Sequence, residues 1–148
     1  MKSSLVIRWW TPASILRGSL ALALGALVEH FGLRLLGVHI ELFTGIDYFN
    51  FRWFTGLFLL SGLAGVLVAS VYGLGGKILA YFPPGPALAL DYYVSMHAAH
   101  LPAGSQLMPL GWWGFFVILA IESSALGGIF GEVMNKRIYG RDRPLSEE

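Results

Sequence analysis

WFTGLFLLSGLAGVLVASVYGLGG, residues 53–76, contains no charged side chain between Arg52 and Lys77, a run of 24 residues. In a helix rising about 1.5 Å per residue, about 20 residues cross a hydrocarbon core about 30 Å thick. Trp53 and Phe54 open the run and Tyr72 lies near its end, where amphipathic rings favour the two membrane interfaces. One unbroken spanning helix is expected over about 53–72.

Two further segments share this character. Leu110 to Phe130 opens with Trp112 and Trp113 and is interrupted by one acid, Glu122. A single carboxyl costs a few kcal/mol on insertion scales, which the surrounding apolar residues can offset. The segment from about 15 to 36 is less clean, with Arg17 and Arg34 near its ends and Glu29 and His30 inside. Long cationic side chains reach an interface from such positions, but a short carboxylate does so less easily. The run from Leu20 to Val28, preceded by Lys2 and Arg8, has the composition of a secretory signal. Apolar character resumes beyond His30, so a retained helix is expected.

The expected fold is therefore an all-α integral membrane bundle, one domain over 1–148, with spans at about 15–36, 53–72 and 110–130. A water-soluble cytoplasmic tail is expected over 132–148. Gly37 to Phe51 reads as a loop in the headgroup region. Between Gly73 and Pro109, prolines at 83, 84, 86, 102 and 109 bracket ALALDYYVSMHAAHL (87–101). Proline is accepted in a first helical turn and stops a helix from beyond its end. The stretch 86–101 is read first as an interfacial or re-entrant helix, and second as part of a kinked fourth span.

Cytoplasmic loops are enriched in Lys and Arg. Three spans with an internal C-terminus divide the ten basic residues six to four; four spans with both ends inside divide them eight to two. Hydropathy favours three crossings and charge favours four, and both leave the C-terminus in the cytoplasm.

Composition agrees with lipid as the surrounding solvent. The chain is 55% apolar and 13% charged, with mean hydropathy +0.64, whereas soluble domains carry about 25% charged residues. A net charge of +1 with scattered basic residues excludes a phosphate-tracking surface, so no nucleic acid is expected. The absence of cysteine excludes disulfides, thiolate metal sites and cysteine nucleophiles.

Three groups of residues attract functional attention. Ser61, Gly65, Ala69 and Gly73 recur every four residues, and Ser123, Gly127 and Gly131 repeat the pattern in the last helix. Small residues let helix backbones approach closely where lipid offers little hydrophobic drive, and Gly65→Leu is expected to weaken assembly. Glu29 and Glu122 are intramembrane acids, which face protein or water and often mark proton or ion paths. Glu122 is expected to face protein and to be neutral or hydrogen-bonded. His30 and Arg34 share a helix face, and His97, His100, His30, His39 and Asp91 form a weak ligand set for haem or a metal. Separated histidines are more often hydrogen-bonding groups, so no cofactor is the first expectation and haem or metal the alternative.

No HExxH, histidine box, GxSxG, P-loop or dinucleotide fingerprint occurs. GLGGK (73–77) follows an apolar helix rather than a strand and reads as a turn leaving the bilayer. The leading function is a non-catalytic membrane subunit packing against partners in a multi-subunit energy-transducing or monooxygenase-like assembly. Its partners would be the bilayer and other membrane subunits or further copies of the chain. Alternatives are a small oligomeric transporter using Glu29 and Glu122, or a haem- or metal-binding redox subunit.

Overall fold

In a computed structural model of the chain, residues 11–139 are described. Helix α1 (Pro12–Leu36) is followed by a two-residue strand β1 (Leu42–Phe43) and a 3-10 turn at Ile46–Tyr48. Helix α2 (Phe51–Tyr72) contains a π-helical stretch at Gly56–Leu60. Then come α3 (Gly76–Leu79), α4 (Pro84–Met96), strand β2 (Gln106–Leu107) and α5 (Leu110–Tyr139). Among the described residues α1, α2 and α5 are the helices long and apolar enough to cross a membrane. The last helix runs on past residue 130 to Tyr139, so the first part of the expected 132–148 tail is helical; residues beyond 139 lie outside the described residues.

Local chemistry sets the helix ends. Thr11 accepts the Ser14 amide at 3.3 Å and Pro12 occupies the first turn of α1, where a missing N–H costs nothing. Gly37 closes α1 at φ +62°, its amide bonding Arg34 O while Val38 N reaches Leu33 O at 2.9 Å. That pair of bonds satisfies two terminal carbonyls, and the positive φ suits glycine. Asn50 Oδ1 caps α2 by accepting the Trp53 amide at 3.0 Å.

Helix directions follow from which residues meet. Between α1 and α2, Leu33 faces Gly56, Glu29 faces Ser61 and Gly18 faces Tyr72, so the two helices are antiparallel. Between α2 and α5, Ser123 Oγ donates to Phe58 O, Gly62 faces Gly127, Ala69 faces Gly131 and Asn135 Nδ2 donates to Ala69 O. Both sets of numbers rise together, so α2 and α5 run parallel.

A parallel pair requires the connecting chain to return along the bundle. It does so through α3 and α4, which run antiparallel to α5: Lys77 meets Gly128, Ser124 Oγ donates to Ala80 O, and the Tyr92 ring packs on Trp113 at 4.8 Å. Alongside α1, the same leg passes from Gly18 (beside Leu79) to Arg34 (beside Asp91). Sixteen residues of α1 cover about 24 Å, most of the bundle's height.

The returning leg is broken at Ala80–Pro83. A helix start normally leaves four amide donors unpaired, which is costly away from water. Here Pro83, Pro84 and Pro86 have no amide hydrogen, and Ala87 N already bonds Pro83 O. Only Gly85 keeps a free donor in that first turn, so the break can be buried, as Pro83 and Pro84 are. The freed Ala80 carbonyl is taken up by Ser124 at 2.6 Å.

At the end of the bundle opposite the Gly73–Gly76 turn, the hairpin end, the loops after α1 and before α5 meet, and β1 and β2 pair antiparallel, Leu42 with Leu107 and Phe43 with Gln106. Met108 N donates to Glu41 O at 2.8 Å. The loop expected in the headgroup region is thus folded onto the bundle: Val38, Ile40 and Leu42 are buried with Trp53, Leu57, Leu88, Met108 and Phe116.

Candidate functional site: intramembrane acids and a polar clamp

Glu29 lies on the face of α1 that meets α2 and is 0% exposed. Its Oε1 is 2.6 Å from Ser61 Oγ, and the same hydroxyl is 2.6 Å from Leu57 O, inside the π-helical stretch. Its Oε2 is buried without a protein partner.

One turn toward the hairpin end, α1, α4 and the β1 segment meet in a clamp of charged groups. Asp91 of α4, 3% exposed, receives Arg34 NH2 at 3.0 Å and has His30 Nδ1 at 2.8 Å. The His30 contact is a charge-pair distance with the ring N–H poorly aimed at the carboxylate, so it satisfies no strict hydrogen-bond geometry. Glu41, also 3% exposed, accepts from His39 Nδ1 at 3.1 Å and from Ser95 Oγ at 3.3 Å, with Arg34 at 3.9 Å. Tyr48 Oη accepts the His39 amide at 2.8 Å and fixes the start of the loop. Two buried carboxylates thus share one guanidinium.

Burial acting alone would raise the Glu41 carboxyl. The His39 hydrogen bond, Glu41's own backbone amide and the charges of His39 and Arg34 outweigh it, holding the group below its ordinary value of 4.5. A carboxylate with a depressed folded value contributes stability above its unfolded value and loses it as pH falls through the folded one. The clamp's contribution should therefore persist from neutral pH to about 4.5 and decline below it. Thermal unfolding in detergent at stepped pH checks this: a wild-type midpoint that drops more below pH 4.5 than that of Glu41→Gln is the expected result.

The histidines separate into two groups. His30, His39 and Asp91 join the clamp. His97 is exposed, its Nδ1 at 2.9 Å from Tyr93 O, and His100 is exposed beyond the end of α4. Among the described residues no three His, Asp or Glu side chains converge as a metal site.

The expectation that Glu122 faces protein is not met within the chain itself: the residue is exposed on the outside of α5, beside Phe115, Ile118, Leu126 and Ile129, so any protein it faces lies outside this chain. Among the described residues no side chain hydrogen-bonds to it. The cause is helical phase. At about 100° per residue, Gly128 lies about a third of a turn round from Glu122 and Ser124 nearly half a turn. They pack on α2 and α3 while Glu122 points away.

The small-residue positions also divide. An added Cβ at Gly65 would collide with the Ser124 carbonyl, one at Gly127 with the Gly62 carbonyl, and one at Gly131 would come within 2.9 Å of Ala69 and Val66. Ser61 instead serves Glu29. Gly73, at φ +88°, forms the turn after α2, and an added Cβ there would meet no atom of the described residues within 4 Å. Glu132, 6% exposed and paired with Lys136 at 3.0 Å, is a buried acid that the sequence reading passed over because it sits in the basic segment.

An apolar cleft of about 560 Å³ opens at the hairpin end between Phe43, Phe49, Phe54, Met108, Trp112 and Phe116, with Gln106 also in its lining. No family model, no curated protein and no solved structure matches the chain.

Proposed function

We propose that the chain is a four-crossing membrane subunit, contributing packing surface to a larger assembly rather than a reaction of its own. The fourth crossing is the broken α3–α4 leg. Its support is the parallel course of α2 and α5, together with the proline-rich break whose donors and carbonyl are accounted for. Four crossings give the eight-to-two division of basic residues, with both termini and the glycine turn in the cytoplasm.

The chain has no native cysteine, so single cysteines report topology directly. Leu74→Cys, in the glycine turn, should react with an impermeant maleimide only from the cytoplasmic side. Ala103→Cys, in the hairpin-end loop, should react only from the other side. Labelling of both from one side would return the 76–109 segment to a re-entrant loop.

The observation that carries the subunit reading is the position of Glu122. It lies about 14 Å along α5 from Trp113 and about 21 Å from Lys136, near the middle of any span bounded by those residues. A charged residue there costs about 3 kcal/mol on insertion scales when it faces lipid, and intramembrane acids almost always face protein or a water-filled cavity. The occupant is a transmembrane helix of another subunit that offers Glu122 a hydrogen-bond donor or a cation. Glu122→Gln should retain the complex on native gels, because an amide still accepts a hydrogen bond. Glu122→Leu should leave the chain folded in the membrane but free of its partner. A chain running alone with or without Glu122 would defeat the proposal.

A further inference from the structure

We infer that Glu29 is a proton-carrying site inside the bundle, its carboxyl donating to Ser61 rather than accepting from it. The argument is a count of hydrogens. Ser61 Oγ stands 2.6 Å from two oxygens, Glu29 Oε1 and Leu57 O, and both separations are full hydrogen-bond lengths. The hydroxyl has one hydrogen, and an ionised carboxylate and a carbonyl both only accept. One of the two contacts would then lack a hydrogen and place two oxygens against each other. A hydrogen on Glu29 removes the conflict: Glu29 donates to Ser61 Oγ, and Ser61 donates to Leu57 O.

The surroundings favour the same assignment. Between Trp53 and Val71, α2 presents no titratable side chain. From α4 the group facing this region is Asp91, an acid, and the nearby bases His30 and Arg34 are turned to it at 2.8 and 3.0 Å. His39 pairs with Glu41 further toward the hairpin end, and Glu122 of α5 is on the outside of the bundle. Among the described residues no cation is within ion-pair reach of Glu29. An ionised Glu29 would also leave charge on Oε2, which is buried and unpartnered; a neutral acid leaves there a carbonyl oxygen, the milder case.

The proton then acts as a latch. The two-bond chain Glu29–Ser61–Leu57 ties α1 to the π-helical stretch of α2, and such stretches often accompany functional sites. Loss of the proton removes the first donor and adds a buried charge, loosening α1 from α2.

Infrared spectroscopy of the full chain in lipid at neutral pH reads the proton directly. The carbonyl band of a neutral carboxylic acid should be present, shift in D2O and be missing from Glu29→Gln. A spectrum without such a band, or one that Glu29→Gln leaves unchanged, overturns the assignment. Ser61→Ala supplies an independent reading should Glu29→Gln fail to fold. It removes the acceptor, so the band should move to higher frequency, and an unmoved band overturns the Glu29–Ser61 bond.

Discussion

Gly65→Leu should prevent recovery of a folded chain, whereas Leu67→Ala should be recovered with a modest loss of stability. Gly65 packs against backbone: an added Cβ meets the Ser124 carbonyl and lies 2.9 Å from the Gly128 amide nitrogen. Overpacking a well-filled core costs about 1–3 kcal/mol where side chains can shift. A carbonyl fixed in a helix yields less, so α2 and α5 must separate along the length where Gly62, Gly65 and Ala69 face Ser123, Gly127 and Gly131. A total stability of about 5–15 kcal/mol leaves little margin for that. The defect belongs to the chain's own fold, not first to its assembly with others, because this face is already occupied within the chain. Monodisperse yield in mild detergent measures it; equal recovery of both variants would contradict the close α2–α5 approach.

Arg34→Ala should destabilise the bundle by about 3–5 kcal/mol, the range for removing one member of a buried charge pair. The guanidinium is partly exposed, which places the effect toward the lower end of that range. Its loss leaves Asp91 with His30 alone and removes one of the charges, beside His39, that offset the burial of Glu41. Asp91→Asn in the Arg34→Ala background should recover part of the loss, since the carboxylate left without its guanidinium is then neutral. Thermal midpoints for the two single variants and the double variant give the coupling. Simple additivity would show that Arg34 and Asp91 do not act together.

The sequence made some of this legible and hid the rest for identifiable reasons. The charge-free run from Trp53 to Gly76 declared α2, although the π-helical stretch within it left no compositional mark. His30 and Arg34, four residues apart, could be placed on one face, but their partner Asp91 is 57 residues from Arg34, and nothing local announces it. The fourth leg escapes a hydropathy reading because its prolines divide it into α3 and α4, neither long enough to span. On the four-crossing reading proposed above, the basic-residue count carries the matching signal, since charge asymmetry depends on how many times a chain crosses and not on how straight each crossing is. The side of α5 on which Glu122 lies is hidden from a linear reading, because Ser123, Ser124, Gly127 and Gly128 are near it in sequence while neighbours in sequence on a helix point in different directions. Glu29 and Glu122, equivalent in composition, occupy opposite situations, one inside the bundle and one outside it.

That outward carboxyl is the point on which the account rests, and photocrosslinking tests it most directly. Leu126, one turn from Glu122 and 68% exposed, is replaced by benzoylphenylalanine in the native membrane, and Leu20, on the outside of α1, is replaced as the control. Irradiation should yield one discrete adduct with another membrane protein from position 126, lost in Glu122→Leu, and only lipid adducts from position 20. Lipid adducts alone from both positions would mean that Glu122 faces the bilayer unaccompanied, and would contradict the subunit reading.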